Sequence, residues 1–162
     1  MNFFKLRKST SAVELKEILV AVDHSQQAFK VVDQACEVAK GLETGIILVY
    51  VMSADQSEPE GVAAFEKAEE FPDAFAEYLE DLSEEVTSKL SERIKQAGIP
   101  CRAVSPSGNV AGEILEVAKV ENAIMIVVGV RGLHGLARIR SLGSVARRVI
   151  ENSTIPVLTV PS

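Results

Sequence analysis

The residues whose types and spacing best suit chemistry cluster in the last third of the chain. Gly129-Val-Arg-Gly132-Leu-His-Gly135 is followed by Gly143-Ser144. Glycine has no β-carbon, so Gly129 and Gly132 let the backbone come close to a ligand. Gly143-Ser144 opens a predicted helix, whose free N–H groups and positive dipole end favour an anion. The Ser144 hydroxyl can cap that helix or donate to a phosphate oxygen. Glycine turns and a helix N-terminus around one point suit a polyphosphate. The same glycines equally permit tight turns with no ligand. A second polar group, Asp23-His24-Ser25, closes an apolar run near the start of the chain. Asp23 reads either as a ligand contact or as an Asx-turn residue.

Other chemistries lack their residues. There is no GxxxxGK[ST], which excludes a P-loop. There is no GxGxxG after the first apolar run, which disfavours a dinucleotide. The two histidines, His24 and His134, fall in the two candidate loops, but no third ligand stands at a recognisable spacing, so no metal site is expected. No serine has a nucleophile-elbow context. Residues 120–162 contain no lysine to serve phosphoryl transfer. No catalytic residue is assigned. The expectation is slow turnover at most, with a nucleotide as ligand rather than substrate.

These loops need a scaffold, and the composition supplies one. The 162 residues fit one domain, read as an extension over 1–15 and a folded unit over 16–162. The apolar share is 47% and the charged share 25%, ordinary for a globular protein. The longest aliphatic run, Ile46 to Met52, is far short of the ~20 residues of a membrane span. The first ten residues lack the apolar stretch of a secretory signal. Cys36 and Cys101 read as structural thiols of a reducing cytoplasm. The net charge of −6 disfavours nucleic acid as a partner. Residues 53–92 hold thirteen acidic side chains and two basic ones, a solvated helix face. Residues 129–150 hold five arginines and no acid, and coincide with the glycine cluster.

Strand and helix patterns alternate along the chain. Residues 17–22 and 46–51 are apolar runs. Between them, Ser25 is expected to cap a helix that ends at Gly41. Ser57-Glu-Pro-Glu60 reads as a capping box for a short helix to about Phe71. Pro72 interrupts it, and Phe75, Leu79, Leu82, Val86, Leu90 and Ile94 form the stripe of a long helix ending near Gly98. Residues 99–104 read as a strand near an edge. Asn109 caps a helix through Val120, with Ile114 and Ala118 inward. Residues 123–128 are apolar at every position, as in a strand buried on both faces. The helix from Gly143-Ser144 runs through Asn152, and Pro156-Val-Leu-Thr-Val160 is the last strand. This order predicts an α/β fold: a five-stranded, mainly parallel sheet with helices on both faces. Ligands of such sheets bind beyond the carboxyl ends of the strands, where strand order reverses.

The carboxy-terminal third, GVRGLHGLARIRSLGSVARRVIENSTIPVLTV, resembles the universal stress protein (UspA-like) family. Its nucleotide-binding branch carries Gly-x2-Gly-x9-Gly-Ser/Thr after the fourth strand. Val22, Asp23 and Ser25 match the family's Val-Asp-x-Ser, and Gly108 and the closing Pro-Val-Leu-x-Val strand match too. Between Gly132 and Gly143 stand ten residues where the family motif has nine. Arg131 stands where members often have His. The resemblance covers roughly residues 16–161 and implies a Rossmann-like fold of the adenine nucleotide alpha hydrolase type. It also implies ATP, with or without magnesium, as the ligand. Ala21, Val22 and Asp23 would border the adenosine, and Val51 would offer its backbone to the adenine edge. Gly129, Arg131, Gly132, Gly143, Ser144 and Val145 would surround the phosphates. The last strand, Pro156 to Val160, would pair between the subunits of a cytoplasmic homodimer. The implied role is a stress-response regulator whose nucleotide governs partner binding. The extra loop residue favours the alternative, a dimeric interaction module without nucleotide; weak ATPase activity is a third reading.

Overall fold

The structure, a computed structural model, describes residues 15–53, 72–130 and 142–161. In chain order the elements are β1 (Glu17–Val22), α1 (Gln27–Leu42), β2 (Gly45–Tyr50), α2 (Pro72–Gln96), β3 (Cys101–Val104), α3 (Val110–Val120), β4 (Ile126–Val130), α4 (Ser144–Asn152) and β5 (Val157–Pro161). The strands form one five-stranded sheet in the order β3-β2-β1-β4-β5, and every pair is parallel. Strand order runs outward from β1 through β2 to β3. It then returns to the other side of β1 for β4 and β5. The reversal therefore falls between β1 and β4.

The apolar runs are continuous because both faces of the sheet are covered. On one face Ile18, Val20, Ile46 and Leu48 pack against Ala28, Val32 and Ala35 of α1 and Leu90 and Ile94 of α2. On the other, Leu19, Ile47, Val49, Ile126 and Val128 meet Ile114 and Ala118 of α3 and Ala146 and Val149 of α4. Each fully buried aliphatic side chain contributes roughly 1.5–3 kcal/mol. The fold is thus the expected α/β class, with the sheet wholly parallel where the sequence suggested mainly so.

Local details differ from the sequence reading: β3 begins at Cys101 rather than at 99, and β5 runs Val157–Pro161. Ser25 does not cap α1 with its side chain; Gln26 holds the N-cap position without a side-chain bond. The Ser25 hydroxyl is already committed to Asp23 Oδ1, at 2.5 Å. Gly41 stays inside α1. The left-handed residue is Glu43, at φ 54°, whose N–H returns to the last-turn carbonyls of Ala39 and Lys40. β4 begins at Ile126 rather than Ala123, because the Ala123 amide closes α3 on Ala118 O at 2.9 Å. By contrast, Asn109 caps α3 as expected, its side chain accepting from the Gly112 amide at 3.1 Å. β3 is the expected edge strand. The predicted short helix to Phe71 and its capping box lie outside the described residues.

Candidate functional site

Parallel strands all point their carboxyl ends to one side, and the reversal between β1 and β4 opens a crevice there. β1 delivers Ala21 and Val22 to this edge, with Asp23 exposed just beyond it. Ala21 lies in register with Val128 of β4 and with Val49 of β2. Asp23 therefore stands between the ends of two neighbouring strands. Its Oδ1 accepts from the Ser25 amide at 2.9 Å and from the Ser25 hydroxyl. This is an Asx turn, and it fixes the carboxylate while leaving Oδ2 free of those two donors.

β2 ends at Tyr50, and Val51 follows it into the core under α3 and α4. Burial pushes the Tyr50 phenol up, and the nearby Tyr78 and Asp23 add to the rise. The chain beyond is laced to the loop after β3: Met52 N donates to Pro106 O at 2.8 Å and Gly108 N to Met52 O at 3.1 Å. Gly108 has a φ of +152°, and a β-carbon there would stand 2.6 Å from Glu113 Oε1. The Glu113 carboxylate can swing aside, so it is the positive φ that favours glycine here.

β4 carries Gly129 inside the strand, in register with Val160, not in a loop after it. Arg131 and Gly132 lie outside the described residues. The chain re-enters at Leu142 and Gly143, where α4 begins. Gly143 has φ 65° and ψ 146°, close to a region that only glycine occupies readily. Open space surrounds the position a β-carbon would take. Gly143 at the N-cap has no side chain with which to cap α4, and the first turn holds no acid. Ser144 is exposed, while Val145 and Ala146 pack inward. The α4 start therefore offers amides that its N-cap residue does not cap and a positive dipole end, which fits a phosphate.

The structure thus brings Ala21, Val22, Asp23, Val51 and Gly129 to one edge of the sheet, with Gly143, Ser144 and Val145 opening the helix that follows β4. Tyr50 was not marked by its sequence context, where it reads as one more member of an apolar run. Its rank as one of two tyrosines in a chain without tryptophan was the available signal. Among the described residues no three His, Cys, Asp or Glu side chains group to hold a metal ion. A groove of about 460 Å³ lies at the opposite end of the sheet, between α3 and the end of α4, lined by Leu115, Lys119, Asn122, Asn152 and Ile155 among others. It touches none of the residues above. Among the described residues no helix is long and apolar enough to cross a membrane.

Strand order, helices on both faces and a helix start behind Gly143 at the reversal define a doubly wound, parallel α/β protein. The chain belongs to the universal stress protein family, whose model matches residues 14–161. Universal stress protein MJ0531 of Methanocaldococcus jannaschii is 32% identical over 90% of this chain and 81% of that protein. Universal stress protein YxiE of Bacillus subtilis is 30% identical over 89% of this chain and 97% of that one. Among solved structures, the hypothetical protein MJ0577 aligns with a TM-score of 0.73 at 25% identity, over 93% of this chain and 98% of that one. The Archaeoglobus fulgidus universal stress protein in complex with dAMP shares the fold, with a TM-score of 0.61 at 24% identity over 89% of this chain and 96% of that one.

Proposed function

We propose that this chain binds an adenine nucleotide, ATP with or without magnesium, at the reversal between β1 and β4. The observation that carries the reading is the start of α4 behind Gly143, on the same sheet edge as Asp23. Asp23 is the acceptor suited to ribose hydroxyls, and the amides of Ser144 and Val145 are the donors suited to phosphate. Arg131 and Gly132 join the phosphate side of this proposal from the sequence. Support also comes from two fold neighbours whose structures contain dAMP and cAMP. The protein would act as a cytoplasmic regulator, with residues 1–15 as an extension of the folded unit, and the nucleotide would alter partner binding through unequal affinity for two states. β5 is an edge strand with Val157, Leu158 and Thr159 half-buried, the surface expected of a homodimer contact. Purifying the protein without added nucleotide, denaturing it and identifying released molecules by mass spectrometry tests the reading. Near-stoichiometric adenine nucleotide supports it. An empty protein that also fails to bind magnesium–ATP in titration overturns it. The ten-residue spacing between Gly132 and Gly143 favours a second reading, a dimeric interaction module without nucleotide. Sedimentation with and without ATP separates the two.

A further inference from the structure

The first turns of α2 have little part in the core. Its buried residues are Ser83, Leu90 and Ile94. Leu90 packs in the same core as Ile46 and Leu48. From Leu90 back to Tyr78 the helix covers about 18 Å at ~1.5 Å per residue. From Ile46 to the end of β2 at Tyr50 the strand covers only about 13 Å. The start of α2 therefore overhangs the carboxyl end of the sheet, on the side where the site lies.

The overhang carries an aromatic pair. The rings of Phe75 and Tyr78 are 6.4 Å apart between centroids with their planes at 30°. Tyr78 is 57% exposed, whereas Tyr50 is 6% exposed. Tyr50 lies in register with Val22, the residue before Asp23. Tyr78 and Asp23 both act on the Tyr50 phenol, so the three groups share one neighbourhood. An aromatic pair with Phe75 half-buried and Tyr78 exposed, a fixed carboxylate and a helix start without an N-cap side chain answer to the base, sugar and phosphate of a nucleotide.

We propose that Phe75 and Tyr78 form the base-recognition wall of the site, against which an adenine ring stacks, with Tyr50 as its floor. The proposal rests on the nucleotide reading above and adds to it that the base, not the polyphosphate alone, is selected. Stacking on an aromatic side chain adds sequence-tolerant affinity that alanine removes.

Calorimetric titration with magnesium–ATP and with magnesium–tripolyphosphate tests it in wild type, Tyr78→Ala, Phe75→Ala and Tyr78→Phe. The expected result is a loss of about ten-fold in ATP affinity for Tyr78→Ala, with tripolyphosphate affinity unchanged and Tyr78→Phe retained. Because Tyr78 is exposed, its melting temperature should stay at the wild-type value. Equal ATP affinity in wild type and both alanine variants overturns the wall and leaves the nucleotide reading intact. A parallel loss of ATP and tripolyphosphate also overturns it. A wild type that binds no ATP overturns both. A second readout uses the two tyrosines and no tryptophan of the chain. In Tyr50→Phe, Tyr78 is the sole strong emitter, and ATP should quench it while tripolyphosphate does not. Unchanged emission at saturating ATP overturns the proposal.

Discussion

Gly129 and Val31 lie so close that a β-carbon at position 129 would stand 2.9 Å from Val31 Cγ2. The glycine most suggestive of ligand contact is thus also required by the packing of α1 on β4. Val31 is β-branched and stiff at χ1, so it cannot simply turn aside. Gly129→Ala is expected to lower stability by about 1–3 kcal/mol. In Gly129→Ala/Val31→Ala the overlap is removed, and the two effects should sum to less than their separate values. Urea denaturation of the three variants checks this. Strict additivity would mean that the close approach carries no strain on substitution.

Asp33 of α1 and Arg93 of α2 form a two-bond ion pair, with Nε–Oδ1 at 2.5 Å and Nη2–Oδ2 at 2.6 Å. Arg93 also lies over the Phe29 ring, 5.6 Å from its centroid. The hydrogen bonds from Arg93 hold the Asp33 carboxyl below its ordinary range, against the opposing effect of partial burial. A carboxyl lowered in the folded state binds fewer protons there than in the unfolded state. Its contribution is whole above the ordinary aspartate range, about pH 4, and fades as pH falls through the lowered value. Both partners are about half exposed, so the effect is small and screened by salt. Asp33→Asn should melt slightly below wild type at pH 7. That gap should close under acid, and melting curves from pH 7 to 2 show whether it does.

Arg102 on β3 reaches over the sheet to Glu17 of β1, at 2.8 Å, and to Glu121 after α3, at 2.7 Å. Gly45 of β2 is in register with Glu17, and a β-carbon there would press on Leu15 Cδ2 at 3.0 Å and Pro100 O at 3.3 Å. Replacing Arg102 with Met should cost about 1 kcal/mol, since the network is partly exposed and leaves two carboxylates facing each other. The deficit should shrink in 1 M salt, where the Debye length is about 3 Å. Chemical denaturation at low and high salt tests this, and a salt-independent deficit would assign it to lost packing.

The positions of these residues show what a sequence can and cannot carry. β1 and β4 are legible because short apolar runs bounded by turn signals and alternating with helical patterns suit a sheet covered on both faces, although the start of the β4 run closes α3 instead. Asn109 is legible because its side chain bonds three residues away. Ser25 looks like the same signal, but Asp23 two residues earlier takes its hydroxyl, a competition between local bonds that residue type does not rank. Gly41 misleads for a related reason, since Glu43 adopts the left-handed turn instead. The electrostatic influence of Tyr78 on Tyr50 depends on how far α2 overhangs the sheet, which is set by the tertiary register of Leu90 and Ile94. No local pattern records it. Of the candidate site, Arg131 and Gly132 rest on the sequence alone.

Both cysteines have thiols pushed up, chiefly by burial, with Asp33 adding to Cys36 and a hydrogen bond to Ser91 opposing the rise at Cys101. Raised values mean less thiolate at neutral pH, and thiolate is the nucleophile. An aromatic disulfide reagent at pH 8 should react at least about ten-fold more slowly with the native protein than with the urea-unfolded one. Cys36 should be the slower of the two, being 4% exposed. Fast labelling of Cys36 in the native state would mean that α1 opens readily from the sheet.

The start of α4 allows stability and binding to be separated, because the two respond oppositely to one change. The helix has no acid in its first turn, and its N-cap residue is a glycine with no side chain to cap it. An acidic side chain there should stabilise it by about 0.3–1 kcal/mol through the dipole. The same charge would occupy the place proposed for phosphate. Ser144→Glu is therefore expected to raise the melting temperature while weakening magnesium–ATP and magnesium–tripolyphosphate alike. Ser144→Ala removes only a hydroxyl and should weaken both far less. Tyr78→Ala should affect ATP alone, so the two sets of variants divide the phosphate end of the site from its base end. If Ser144→Glu is more stable and still binds ATP as wild type does, the phosphates do not lie at α4. The glycine at 143 would then serve the turn alone, and the interaction-module reading would take precedence.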